Sequence, residues 1–194
     1  MSNKLKVVAV SGGLKLPSRT LTLVEEIVAN LGAALPIDLH LIEISEIGPL
    51  FGGALSHAEL PGRVLNDIEA IESADLLVVA SPVYRASYTG LFKHLFDFVH
   101  HEALIDVPVL LAATGGSERH ALVIDHQLRP LFSFFQAHTL PIGVYASEAD
   151  FTDYKISNDL LKQRIKLSVD RALPLLKHRR IQLSEEAKHV ASGS

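Results

Sequence analysis

Two polar loops, each placed directly after a short apolar run, constrain this chain more than any other feature. The first apolar run, residues 6–10, leads into a hydroxyl- and glycine-rich loop at 11–20. The second run, residues 76–80, leads into residues 81–90, which include a proline and two tyrosines. Short, continuous apolar runs are typical of buried strands in a parallel sheet. Loops at the carboxyl ends of such strands are where these sheets bind ligands.

Strand and helix patterns alternate along the whole chain. The predicted strands are 5–10, 38–44, 75–80, 107–113 and 140–145. The predicted helices are 19–34, 62–73, 89–100, a segment from the loop at 114–117 to about 135, and 159–180, with 45–61 irregular. Five strands alternating with five helices predict an α/β fold with helices on both faces of a doubly wound parallel sheet. The length of 194 residues favours a single domain with the flavodoxin-like strand order 2-1-3-4-5.

Composition excludes several classes of function. The chain has no cysteine, so thiolate catalysis, disulfides and cysteine-based metal sites are excluded. A net charge of −4 without a long basic run argues against nucleic-acid binding. Neither a bilayer-length apolar stretch nor a signal peptide is evident, so we expect a cytoplasmic protein without membrane contact. The folded domain is predicted to cover 1–183, with Pro174 kinking or breaking the last helix and a mobile polar tail at 184–194.

The first loop has the chemistry of a phosphate site. Ser11, Ser18 and Thr20 offer hydroxyl groups, and Arg19 offers a cationic fork. A helix that begins at Ser18 or Arg19 presents free backbone amides, and Gly12 lets the backbone approach a ligand closely. The loop has neither the dinucleotide-binding glycine pattern nor the P-loop lysine motif. The alternative is an ordinary helix cap by Ser18 after a glycine turn.

The second and third loops have the chemistry of a site for a flat ring. The residues expected to border that ring are Pro82, Val83, Tyr84 and Arg85 after the third strand, and Thr114, Gly115, Gly116 and Ser117 after the fourth. The alternatives are tyrosines that only pack and a plain glycine turn. Because the carboxyl ends of parallel strands share one edge of the sheet, the three loops together predict a flavin mononucleotide (FMN) pocket.

Catalytic and metal-binding patterns are not evident in the sequence. It contains no G-x-S-x-G nucleophile motif, no acid pair with obvious acid–base spacing and no HExxH metal motif. We therefore assign no catalytic residue and expect no metal. Hydride transfer between a nicotinamide and a flavin depends on stacking and orientation more than on a protein acid or base.

The chain resembles the NAD(P)H-dependent FMN reductases, and most of all the reductase components of bacterial two-component alkanesulfonate and methanesulfonate monooxygenases. Residues 11–20, 81–93, 113–116 and 120–131 carry a resemblance that covers nearly the whole chain. It implies that the phosphate of FMN is held by Ser11, Ser18, Arg19 and Thr20, and that the flavin ring lies against 82–85 and 114–117. It also implies a homo-oligomer, commonly a tetramer, whose contacts come from the helices after the third and fourth strands.

The resemblance further implies that reduced FMN leaves the enzyme for a separate monooxygenase that cleaves a carbon–sulfur bond in sulfur acquisition. The alkanesulfonate reductases have a tyrosine where this chain has His126, in a widened helical turn at the tetramer interface. The histidine favours the methanesulfonate branch and NADH over NADPH; His126 is then either a residue close to the flavin or a simple interface residue. The alternative functions are an FMN-retaining quinone or azo reductase and a flavodoxin-like electron carrier.

Overall fold

A computed structural model describes residues 4–192 of the protein, with side chains as far as residue 182. Its main sheet contains β1 to β6, and β7 and β8 form a small separate hairpin. The strands are β1 (Leu5–Ser11), β2 (Ile37–Glu43), β3 (Leu76–Pro82), β4 (Pro108–Gly115), β5 (His138–Thr139), β6 (Val144–Ser147), β7 (Phe151–Thr152) and β8 (Lys155–Ile156). The order β2-β1-β3-β4-β5 confirms the predicted doubly wound, flavodoxin-like sheet.

The sheet is parallel, and its register brings the predicted loops together. β1 lies between β2 and β3, with Ser11 opposite Ala80, and β3 lies between β1 and β4, with Pro82 opposite Thr114. The loops after β1, β3 and β4 therefore leave the same edge of the sheet. The sheet interior is apolar on both faces, as expected for strands covered by helices on each side.

Within residues 4–192, six α-helices cover the sheet. They are α1 (Arg19–Ala34), α2 (Ile44–Phe51), α3 (Gly62–Glu72), α4 (Gly90–Asp97), α5 (Arg129–Phe134) and α6 (Asp159–Ser192). Buried leucine, isoleucine and valine side chains of α1 and α6 form one core with the sheet, and buried side chains of α2 to α5 form a second core. Each face thus buries an apolar helix stripe, which is the main source of stability in such folds.

The fifth strand is not continuous, contrary to the prediction of one strand over 140–145. β5 and β6 pair with β4 in two short pieces, separated by a break that contains Pro141 and Gly143. Pro141 has no N–H to donate to a ladder. The carbonyl groups of Leu140 and Gly143 instead accept hydrogen bonds from Arg129 Nη1 at 3.1 Å and Arg164 Nε at 3.0 Å.

The predicted helix after β4 is also interrupted. A 3-10 turn at Glu118–His120 and a π-helical turn at Ile124–Leu128 precede α5. The widened turn that the resemblance implied is therefore present, and it contains His126. Pro130 stands at the start of α5, where its missing N–H removes a helical hydrogen bond and favours a distorted turn.

Two further predictions from the sequence were wrong in extent. Residues 45–61 are not wholly irregular, because α2 and a 3-10 turn at His57–Glu59 occupy much of this stretch. α6 does not end at Pro174 or near 180 but continues to Ser192, since glycine and further proline are absent between 175 and 192. The division into 1–183 and 184–194 stays a prediction, and residues 193–194 lie outside the described residues.

None of the helices between residues 4 and 192 combines the length and the apolar character that a bilayer crossing requires. The expected cytoplasmic location stays a prediction.

Candidate functional site

A cleft of about 270 Å³ lies between the loops after β1, β3 and β4. The sequence-predicted site residues that line it are Ser18, Arg19, Thr20, Pro82, Val83, Tyr84, Thr114, Gly115 and Gly116. The predicted residues outside this lining are Ser11, Gly12, Arg85 and Ser117. All three predicted loops therefore contribute to one cleft, at the edge of the sheet where the topology places a ligand.

The first turn of α1 forms the polar end of the cleft. Ser18 caps the helix, and its Oγ accepts a hydrogen bond from the backbone N–H of Leu21 at 3.2 Å. The remaining first-turn amides have no acceptor within the helix and carry its positive dipole end. A Cβ at Gly13 would lie 2.6 Å from Ser18 Oγ, so only glycine allows the loop to pass this close to the cap. This is the geometry of an anion site.

Arg19 supplies the positive charge at this end of the cleft. Its Nη2 donates to Glu148 Oε1 at 2.5 Å, and its guanidinium lies 5.1 Å from the ring centre of Tyr154. Its Nε is buried and has no hydrogen-bond partner among the described residues. A buried guanidinium N–H without an acceptor is costly, so this group has unused capacity to bind an anionic ligand.

A buried hydrogen bond joins α1 to the third loop. Thr20 Oγ1 and Thr114 Oγ1 are 2.6 Å apart, and both residues are buried. The backbone N–H of Val83 donates to the carbonyl of Thr114 at 2.7 Å, which extends the link to the second loop. The walls of the cleft are therefore fixed to one another by hydrogen bonds.

Gly12 and Ser11 support the cleft from behind. Ser11 is buried at the end of β1. A Cβ at Gly12 would lie 2.9 Å from the carbonyl oxygen of Ala80, so glycine permits the close contact between β1 and β3. The Gly12 carbonyl accepts from Thr89 Oγ1 at 3.1 Å, and the Thr89 N–H donates to Ser81 Oγ at 3.1 Å.

The second loop turns tightly at its tip. The backbone N–H groups of Tyr84 and Ser87 each donate to the other residue's carbonyl, at 2.8 and 3.2 Å. Arg85 and Ala86, between them, adopt left-handed backbone angles, with φ of 50° and 68°. Arg85 is exposed at this tip, while Tyr84 lines the cleft with half of its surface exposed.

The third loop is held by Tyr145. Its hydroxyl donates to the carbonyl of Ser117 at 2.6 Å, and a Cβ at Gly115 would overlap that hydroxyl. Burial raises the pKa of the Tyr145 hydroxyl, and the charges of Glu118 and Asp150 raise this pKa further. The tyrosine is therefore a neutral donor at physiological pH, and the Ser117 carbonyl is the acceptor through which it holds the loop.

Sequence reasoning missed Glu148 and Tyr154, which close the cleft beside Arg19. They belong to the turn and hairpin after β6, whose anchor is the buried carboxylate of Asp150. That carboxylate accepts from the N–H and Oγ of Ser147 at 2.6 and 2.9 Å, and from Asn158 Nδ2 at 2.5 Å. The Ser-x-x-Asp spacing of a capping box was the available signal in the sequence.

Comparison with known proteins identifies the family. Residues 5–152 match the NADPH-dependent FMN reductase family. The chain belongs to this family. It is 64% identical over 175 residues to "NADH-dependent FMN reductase SfnF" of Pseudomonas fluorescens (strain Pf0-1), covering 90% of this chain and 94% of that protein. It is 61% identical, with the same coverage, to "FMN reductase (NADPH)" of Pseudomonas aeruginosa PAO1.

A solved oxidoreductase from Corynebacterium diphtheriae shares the architecture of this FMN reductase. It is 33% identical, with a TM-score of 0.78 over 93% of this chain and 99% of that one. The prediction of an NAD(P)H-dependent FMN reductase, an oxidoreductase that uses FMN and a nicotinamide nucleotide, is thus confirmed at the level of the family.

The cleft of this FMN reductase fits a flavin mononucleotide. A terminal phosphate would be bound by Arg19, the Ser18 cap and the first amides of α1. The N–H of the buried Arg19 Nε, which has no partner among the described residues, is a donor for it. Gly116 has open space where a Cβ would stand, which leaves room for a flat ring beside the third loop. The thirteen residue assignments made from the sequence stay predictions until a flavin is seen in the cleft.

A second, larger cavity of this FMN reductase lies beside the end of α4. This groove, called the α4–α5 groove below, has a volume of about 910 Å³ and is lined in part by Tyr88, Lys93, His126, Gln127 and Phe134. Lys93 pairs with Asp97 in this groove. Ser87 Oγ donates to Gln127 Oε1 at 3.0 Å, which connects the groove to the second loop.

Proposed function

We propose that this chain uses NADH to reduce FMN that binds and dissociates freely, and that the reduced FMN is used by a separate monooxygenase. The resemblance described from the sequence supports a monooxygenase that removes sulfite from methanesulfonate or other alkanesulfonates. The 64% identity to a protein named as an NADH-dependent FMN reductase supports NADH as the electron donor.

The observation that carries the proposal is the anion site at the start of α1. One guanidinium, one hydroxyl cap and one helix N-terminus match the single phosphate of FMN. In the proposed complex, Ser18, Arg19 and Thr20 hold the phosphate, with Ser11 and Gly12 supporting the loop behind them. Residues 82–85 and 114–117 border the flavin ring.

The residues around the cleft orient the reactants rather than transfer protons. Bound FMN supplies a ring system that accepts a hydride from a reduced nicotinamide. Among the described residues that line the cleft, the ionisable side chains are Lys15, Arg19, Tyr84, Glu148 and Tyr154. Of the described residues, no histidine lines the cleft, and the one carboxylate that does is paired with Arg19. Catalysis then depends on holding the two rings in contact and on limiting water at their shared face.

The α4–α5 groove supports the assembly of several copies of the chain. Phe134 is 68% exposed at this groove, and Phe96, Phe98 and Leu131 also line it. The groove also has polar and charged lining residues, and exposed apolar surface rimmed by polar residues marks interaction sites. The groove comes from the helices after β3 and β4, the elements through which the resemblance implies tetramer contacts. A homotetramer built on these helices is the proposed assembly.

The test is the oxidation of NADH and NADPH by the purified protein, with and without added FMN. The proposal predicts oxidation that requires added FMN, saturates with it and is faster with NADH. Adding an FMNH2-dependent monooxygenase and methanesulfonate should then release sulfite. Full activity with no added flavin would contradict the exchangeable role and favour an FMN-retaining quinone or azo reductase. Failure to oxidise either nicotinamide would contradict the enzyme proposal and favour a flavin-binding electron carrier.

A further inference from the structure

We propose that Glu148 is an internal competitor for the flavin phosphate. Its carboxylate binds Arg19 when flavin is absent, weakens FMN binding and thereby keeps the flavin exchangeable. The inference rests on the proposed function, because it takes Arg19 as the residue that receives the phosphate.

Glu148 and the proposed phosphate are both acceptors for the guanidinium of Arg19. Glu148 Oε1 accepts from Arg19 Nη2 at 2.5 Å, and both side chains line the cleft. A guanidinium recognises carboxylate and phosphate groups through the same planar fork of N–H donors. Glu148 occupies Nη2, and the unpartnered Nε lies on the same edge of the guanidinium. A phosphate that binds this edge through both nitrogens therefore competes with Glu148 for Nη2.

The ion pair is built so that it can open. The Arg19 side chain is 36% exposed and that of Glu148 is 60% exposed, and exposed ion pairs contribute little to stability. The stacking of Arg19 on the Tyr154 ring does not involve Glu148, so the guanidinium keeps one support when the carboxylate leaves. Opening the pair thus requires only the Glu148 side chain to swing toward solvent.

The backbone beneath Glu148 is fixed, which keeps its carboxylate close to the cleft. Glu148 begins a 3-10 turn, Glu148–Asp150, that is closed by a capping box between Ser147 and Asp150. Asp150 is buried and is also held by Asn158. The displaced carboxylate therefore stays near the phosphate, where it repels the phosphate charge of about −1.5 to −2, and it can re-form the pair when flavin leaves.

The test compares FMN and riboflavin binding by wild type and Glu148→Gln, with dissociation rates measured by stopped-flow fluorescence. FMN should bind about two- to fivefold more tightly to the variant, as expected for the loss of one exposed charge interaction, and it should dissociate more slowly. Riboflavin has no phosphate, so its affinity should not change. Raising the salt concentration should shrink the difference for FMN.

Glu46→Gln is the matched control. Glu46 also pairs with an arginine, since its Oε2 accepts from Arg63 Nη2 at 2.5 Å, but it does not line the cleft. The Glu46→Gln substitution removes the same charge as Glu148→Gln and should leave FMN affinity unchanged. An unchanged FMN affinity in Glu148→Gln, or equal tightening for riboflavin, would overturn the inference.

An Arg19→Ala variant separates this inference from the proposed function. If Arg19→Ala loses FMN affinity and Glu148→Gln has no effect, the competitor role of Glu148 is wrong and the phosphate site is supported. Unchanged FMN affinity in Arg19→Ala would contradict the proposed phosphate site itself. In the Arg19→Ala background, the gain from Glu148→Gln should shrink, because the two acceptors no longer share a donor.

Discussion

Thr20 Oγ1 lies 2.6 Å from Thr114 Oγ1, in a buried hydrogen bond between the first turn of α1 and the end of β4. Replacing Thr20 with valine keeps the shape but leaves the Thr114 hydroxyl without this partner. We expect the free energy of unfolding to fall by about 1–3 kcal/mol. Urea denaturation of the two single valine variants and the double variant checks this. The double variant should lose less unfolding free energy than the two single variants lose together. Additive losses would show that the hydroxyls do not interact.

Gly116→Ala should weaken flavin binding without destabilising the protein. Apart from its chain neighbours, no atom of the described residues lies within 4 Å of a Cβ at Gly116, and its φ is outside the left-handed region. We therefore expect a change in unfolding free energy within about 0.5 kcal/mol. The added methyl group occupies space beside the third loop where the ring is proposed to lie. Gly53→Ala is the control, because its Cβ site is equally open and Gly53 does not line the cleft. Equal flavin affinities in the two variants would place the ring elsewhere.

Tyr145 gives the protein a specific sensitivity to alkaline pH. Because its pKa is raised in the folded state, the unfolded chain loses this proton first as the pH rises. The stabilisation is complete below the ordinary tyrosine pKa of about 10 and is lost as the pH passes through the raised folded value. Unfolding midpoints measured from neutral to alkaline pH should fall more steeply for wild type than for Tyr145→Phe. Parallel curves would contradict this account.

Phe134→Asp should dissociate the proposed oligomer. Phe134 is 68% exposed at the α4–α5 groove, and a carboxylate there cannot be buried at low cost against apolar side chains of another copy. Leu160→Asp is the control, since Leu160 is 72% exposed but does not line the groove. Sedimentation velocity should show a smaller species for Phe134→Asp alone. An unchanged species for that variant would exclude this groove from the interface.

The main sheet and most of its helices could be predicted because their signals are local. The apolar runs of β1, β3 and β4 and the helical spacing in α1 each identify an element without reference to the rest of the chain. α2 was missed because it contains Gly48 and Pro49, which weaken the helical signal. Gly48 faces α4: a Cβ at this position would lie 2.9 Å from Cδ1 at the flexible end of the Leu91 side chain.

The candidate site was predictable except on the side that Glu148 and Tyr154 close. Ser18, Arg19 and Thr20 follow a strand and begin a helix, so their chemistry and position can be inferred together. Glu148 lies 129 residues from its partner Arg19 and reaches the cleft through a short turn after a broken strand. Pro141 was a local signal for the break in the strand. The contact across that separation has no local signature, since it depends on tertiary packing.

Steady-state kinetics of Arg19→Ala with FMN and with riboflavin tests the central claim most directly, namely that the cleft at the start of α1 binds the phosphate of a flavin substrate. Arg63→Ala, which removes a cation outside the cleft, is the control. The account predicts that kcat/KM for FMN falls about ten- to hundredfold in Arg19→Ala, as expected for a lost charge-assisted contact, while the value for riboflavin stays near that of wild type. Equal losses for both flavins, or an unchanged value for FMN, would contradict the account.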